Sequence, residues 1–173
     1  LIGNIPAFRS FIDQQLDNLS KEQQLVLKYA YCIGKNLQVD ILLHVVPLQQ
    51  KETLQAFLSL VEKHFIMAKH EEIALLHTAF SLQVAEDISI QARFFNDDIF
   101  EATAAIITAE EKSLMHYAIY KHLATKSYLL ERKRLFVHHL SFCLNKLNAQ
   151  EIQSYLQLNF ELGSETILNG MYS

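Results

Sequence analysis

Turn-forming residues are scarce. The 173-residue chain holds four glycines and two prolines, where average usage gives roughly twelve and nine. So few breaks argue against turn-rich sandwiches and barrels. They also leave no Gly-rich loop ending in Lys-Ser/Thr, whose amides would cradle the phosphates of a nucleotide. Tryptophan is absent and there are two cysteines, Cys32 and Cys143. Two thiols make no disulfide framework; both fall on apolar helical stripes and read as buried thiols of a protein in the reducing cytoplasm. Long hydrophobic runs are missing too, because Lys28, Lys35, His44 and Lys63 interrupt the longest candidates well short of the ~18 residues a membrane span needs. There is no basic excess either: 15 Lys and Arg stand against 19 Asp and Glu, for a net charge of −4. Charge therefore favours neither nucleic acid nor an acidic membrane surface. Leu1–Pro6 begins without Met and without a basic-then-apolar leader, and we read it as the start of a piece of a longer protein, with no signal peptide to remove.

What is present is a hydrophobic half and a charged fifth, enough to fold and to bury a core. Phe8, Phe11, Ile12 and Leu16 recur at helical spacing, giving a helix over about 6–18. Ser20-Lys21-Glu22-Gln23 has the form of a capping box that opens a helix over 20–33, with Gly34 at its end. Val39–Val46, stopped by Pro47, reads as a short buried helix, and a further helix spans about 50–63. The period then changes. Residues 64–70 and 89–95 are short, apolar or alternating, and we expect them to pair as a two-stranded wing. Phe65 and Met67 would lie on its inner face. Residues 71–88 are too many for a tight hairpin and fit either a helical turn or a continued strand. Asp97 is expected to cap a helix of 98–107. Thr108–Glu111 is a second capping box, for a helix to Leu123. A helix over 128–147 follows, and Asn148–Glu151 caps one that ends at Gly163.

Three blocks resemble the region that follows the nucleotide-binding domain in signal-transduction ATPases of the AAA+/STAND type, found with class III adenylate cyclases, hybrid kinases and transcription activators. The first runs from Ile5-Pro6-Ala7-Phe8 through Leu16 and Ser20 to Tyr29-Ala30-Tyr31-Cys32-Ile33-Gly34, and is similar to the end of the ATPase lid and the first winged-helix helix. The second, Phe95-Asn96-Asp97-Asp98-Ile99-Phe100 with Lys112-Ser113-Leu114-Met115-His116, resembles a Phe-x-His helix and the helix after it. It departs from the pattern at Asp97, Ala105 and Lys112, where the family has His, Tyr and Arg. The third, Leu135-Phe136-Val137-His138 with Tyr155-Leu156, is similar to the entry into tetratricopeptide-like repeats.

The resemblance implies a mainly α protein. Residues 1–18 would end an upstream lid, 19–96 would form a winged-helix unit with a small β wing, and 97–173 would be a helical linker and the start of a repeat array. It implies a regulatory module without cofactor or enzymatic activity, coupling an upstream ATPase domain to downstream repeats. Its structural anchors would be Phe8, Leu16, Leu25, Ile33, Phe57, Phe95 and His116. A free-standing adaptor whose helical groove takes a partner helix is the alternative. DNA binding through the helix over 50–63 is a third reading, weakened because Lys51 and Lys63 are balanced by Glu52 and Glu62.

Individual residues carry little catalytic signal. Asp97 and Asp98 adjoin at a helix start, where capping and the helix dipole account for them. The spacings His116/His122 and His138/His139 put no two ligands on one helix face, and His64/His70 would lie some 20 Å apart on a strand. The basic residues Lys126, Arg132, Lys133 and Arg134 form a candidate contact for an acidic partner surface or for the ATPase domain.

Overall fold

The computed structural model describes residues 6–81, 90–125 and 130–171, which fall into two compact units, Leu1–Thr108 and Ala109–Ser173. The first contains helices α1 (Pro6–Asp17), α2 (Lys21–Ile33), α3 (Val39–Val45), α4 (Gln50–Glu62), α5 (His70–Ser81) and α6 (Asp97–Ala105), and strands β1 (Asn36–Gln38), β2 (Ile66–Ala68) and β3 (Gln91–Phe94). The second contains α7 (Ala109–Ala124), α8 (Leu130–Ser141), a 3-10 turn (Leu144–Lys146) and α9 (Ala149–Met171). The protein is mainly helical with one small sheet, the class the sequence implies. Among the described residues no helix is long and apolar enough to cross a membrane.

Local chemistry sets the first helices. The Ser20 hydroxyl accepts the Gln23 amide at 3.2 Å while the Gln23 side chain accepts the Ser20 amide at 3.0 Å, closing the expected box at the start of α2. At the other end Gly34 takes φ +122°, a conformation that side chains resist, and its amide donates to the Ala30 carbonyl. The chain can therefore turn at once into β1. The stripe Val26, Leu27, Ala30, Ile33 of α2 is buried. It packs on α4, α3 and α6, where Leu54, Phe57 and Leu60 complete the core.

The sheet has three strands where two were expected. β3 lies in the middle and pairs antiparallel with both neighbours, Leu37 opposite Ala92 and Ile66 opposite Phe94. From α2 onward the unit runs helix, strand, two helices, strand, helix and strand, with the last strand central in the sheet and α5 in the connection between β2 and β3. β1 carries no strand signal in sequence, because Asn36-Leu37-Gln38 is only three residues long, with Leu37 alone buried.

The wing differs in register from the expectation as well. Leu37, Ile66, Ala92 and Phe94 form the inner face, whereas Met67 faces outward beside Arg93. The shift begins at His64, which takes the left-handed φ of 59° after α4. The Phe65 amide then donates to the Leu60 carbonyl rather than entering the ladder. A strand face reverses with every one-residue slip. His64 and His70 do not share a strand, since the first follows α4 and the second opens α5.

Other boundaries move for stated reasons. The cap of α6 is Asn96, whose side chain accepts the Ile99 amide at 2.9 Å, so Asp97 is already inside the helix and pairs instead with Lys35. The division into units falls after Thr108, and α6 packs on α1 and α2 in the first unit instead of joining residues 109–173. The expected helix over 128–147 stops at Ser141 and yields to the 3-10 turn. Asn148 and Glu151 do exchange reciprocal bonds, each of 2.9 Å, at the start of α9. That helix passes straight through Gly163, which does not take the positive φ with which a glycine ends a helix. Of residues 71–88, the part over 71–81 is helical and 82–89 lie outside the described residues.

Phe57 is fully buried, so Phe57→Ala is expected to lower the unfolding free energy by about 3–5 kcal/mol. Ser20→Ala is expected to cost about 1 kcal/mol, the value of a lost cap. Urea unfolding followed by circular dichroism measures both.

Candidate interaction surface

An apolar groove opens on the first unit where α1, the α4–β2 joint and the β3–α6 joint converge. It encloses about 350 Å³, with Phe11 and Gln15 on one wall, Lys63 and His64 on a second, and Phe95 and Asn96 on a third. Helical spacing explains the α1 wall. Ile12 and Leu16 bury on one stripe of the helix, and the adjacent Phe11 is turned outward, leaving it 55% exposed. Phe95 follows the outward-facing alternation of β3 and is 47% exposed. Its amide donates to the Phe65 carbonyl, which fixes its position, and its ring lies 5.7 Å from that of His64.

Phe95 also borders a second, more polar cleft with Lys35, Asn36, Arg93 and Phe100. There the Lys35 ammonium contacts Asp97 at 2.6 Å and sits 5.4 Å from the Phe100 ring centroid. Both partners of that ion pair are exposed, so it orients the cleft more than it stabilises the fold. Phe95 is thus a ridge between an apolar groove and a more polar cleft. The sequence names it as a structural anchor, and about half of its surface is exposed. Of the other expected anchors, Leu16, Ile33, Phe57 and His116 are buried, Leu25 is half-buried, and the side chain of Phe8 lies outside the described residues.

The second unit carries its own apolar stripe. Ile152, Leu156 and Phe160 succeed one another at four-residue intervals along α9, and Leu156 and Phe160 are 61% and 78% exposed. Single exposed apolar residues are ordinary; here three lie on one helix face.

Of the expected basic contact, most lies outside the described residues. Arg134 is exposed on α8, Lys126 lies outside the described residues, and so do the side chains of Arg132 and Lys133.

Histidines from α7 and α8 meet inside the second unit. His116 Nδ1 and His139 Nδ1 are 2.8 Å apart and both residues are buried. The Phe142 ring stacks on His116 at 4.4 Å, His138 stands edge-on to both imidazoles, and Lys112 lies 4.7 Å from the Phe142 centroid. Burial, reinforced by His138 and Lys112, pushes His116 down to about 4. Burial again, then His116 and His138, pushes His139 down to about 3. Next to them burial pushes the Cys143 thiol up to about 11, with Glu151 adding to it, so this buried sulfur stays protonated and unreactive. Among the described residues no group of three or more His, Cys, Asp or Glu is placed to hold a metal.

Spacing along single helices could not disclose this pair, because its members come from different helices. A signal was nevertheless present. His116 occupies the stripe continued by Ile119, Tyr120 and Leu123, and His139 the one formed with Phe136, Leu140 and Cys143. One imidazole on each of two apolar faces, in helices that pack together, is a pairing signal.

In comparisons with known proteins, no family model, no curated protein and no solved structure matches the chain.

Because Phe11 and Phe95 are about half exposed, Phe11→Ser and Phe95→Ser are each expected to cost only about 1 kcal/mol. The pair should lower the fluorescence that the chain elicits from an apolar dye such as anilinonaphthalene sulfonate, while circular dichroism stays unchanged.

Proposed function

We propose that this chain is a non-catalytic interaction module that relays the state of a nucleotide-binding domain preceding it to helical repeats following it, as in signalling ATPases of the AAA+/STAND type. The observation that supports this reading best is the Phe11–Phe95 groove. One wall is α1, the helix whose sequence resembles the end of an ATPase lid, and another is the start of α6. α1 packs on α6, and residues 106–108 lead from α6 directly into α7. A displacement of α1 would therefore act on the element that continues into the second unit, which is the form a packed relay takes.

The rival readings have less support. For DNA binding, α4 would lie in the major groove, yet its exposed residues include Lys51 against Glu52 and Glu62 against Lys63. Lys63 is further engaged by the Gln23 side chain at 3.0 Å. No net positive charge is offered to phosphates. A free-standing adaptor would use the same groove for a partner helix and differs in having no ATPase neighbour.

For want of a phosphate loop, titration of the chain with Mg-ATP in a calorimeter is expected to give no binding heat. A micromolar Kd would contradict the reading. Duplex DNA is expected to bind weakly and to be released at physiological salt; a sequence-selective complex resistant to salt would favour the DNA-binding account instead.

A further inference from the structure

The histidine pair has a property that follows from counting protons. Two Nδ1 atoms at 2.8 Å hold a hydrogen bond only if one carries a proton and the other a lone pair. With both rings neutral they must therefore be different tautomers, one Nδ1–H and the other Nε2–H. Both Nε2 atoms are buried without a hydrogen-bond partner. One added proton can settle on the Nε2 of the donor ring, leaving the Nδ1–H···Nδ1 bond intact but burying a cation. A second must go to the accepting Nδ1. Two N–H groups would then face each other across 2.8 Å, so the bond is lost and two adjacent cations remain.

We propose that the His116–His139 pair is an acid-labile latch between α7 and α8, closed while it holds a single shared Nδ1 proton and opened by protonation. The surroundings favour release over accommodation. Lys112, on α7, opposes positive charge on His116, and His138, on α8, opposes it on both rings. Lys146 lies on the 3-10 turn that packs against α7. The Cys143 thiol is neutral. Glu151, the acid that acts on Cys143, is engaged by the Asn148 amide and by Lys121 at 3.4 Å, and no carboxylate contributes to the shift of either ring. The aromatic contact of Tyr120 with Phe136, 4.8 Å between centroids, spans the same two helices and would part with the latch.

The sign follows from linkage. An imidazole in an unfolded chain takes its proton near pH 6.5. In the fold both rings are held neutral to lower pH. Stability is therefore complete above about pH 6.5 and is lost as pH falls below it, the unfolded state binding up to two extra protons.

The test is NMR on the full chain between pH 7.5 and 4.5. At pH 7.5 the imidazole ¹⁵N spectrum is expected to show one ring of the pair protonated at Nδ1 and the other at Nε2. On acidification the α7 and α8 amides should report an opening whose equilibrium constant rises by more than tenfold per pH unit below 6, because more than one proton is bound. His116→Phe with His139→Leu should remove that steep dependence. Two Nε2–H tautomers at neutral pH, or the same acid profile in wild type and double variant, would overturn the proposal. If the double variant does not fold, the tautomer pattern and the slope of the wild type decide.

Discussion

Burial of the apolar stripe of α2 is the interaction on which the first unit depends. Val26, Leu27, Ala30 and Ile33 are inside. Four other elements, α3, α4, α6 and β1, pack against this one helix. Its two ends are fixed by local chemistry, the Ser20–Gln23 box before it and the positive φ of Gly34 after it. Since the helix cannot slide, β1 is delivered to the edge of the sheet two residues later. β3 can then enter between β1 and β2, with Leu37, Ile66, Ala92 and Phe94 closing the core from below. Phe11 and Phe95 are left outside by the same geometry, because the stripes that bury Ile12 and Phe94 turn their neighbours outward.

The second unit is organised differently. Its interior is apolar at Ile119, Tyr120, Phe136 and Leu140, but the junction of α7 and α8 also contains two imidazoles joined by one proton. An all-apolar contact would tolerate acid. A pair of neutral histidines is less forgiving, because its hydrogen bond exists in only one range of protonation. Ser113 donating to Asn145 at 2.8 Å and the reciprocal Asn148–Glu151 bonds fix the turn that returns the chain to α9. The conditional element is thus set within a well-satisfied frame.

How much of this was legible in the sequence depended on the range of the interaction. Ser20-x-x-Gln23, Asn148-x-x-Glu151 and Gly34 act within one helical turn, and each was readable from the residues alone. The helices α1 to α4 followed from periodicity, and the pairing of 66–68 with 91–94 from the change of period. Failures came where the deciding partner is distant or the segment short. β1 is a strand because β3 lies beside it, and nothing in Asn36-Leu37-Gln38 announces that. The inner face of β2 depends on the left-handed turn at His64. Asn96 outcompeted Asp97 for the cap, although both side chains suit the role. Gly163 has the residue type of a terminus but keeps a helical φ, so α9 continues. The candidate site divides the same way: Phe95 was singled out, but its exposure depends on strand register, and the His116–His139 contact on packing between two helices.

α1 holds the central place, as a wall of the apolar groove and the helix packed on α6. The most direct measurement is hydrogen–deuterium exchange on the natural protein that carries this chain, with and without Mg-ATP, following the amides of α1, α6 and the segment around Phe95. Relay through this unit predicts that nucleotide changes exchange in those three segments together. Identical exchange there in both conditions would contradict the account, as would a natural protein with no nucleotide-binding domain preceding Pro6.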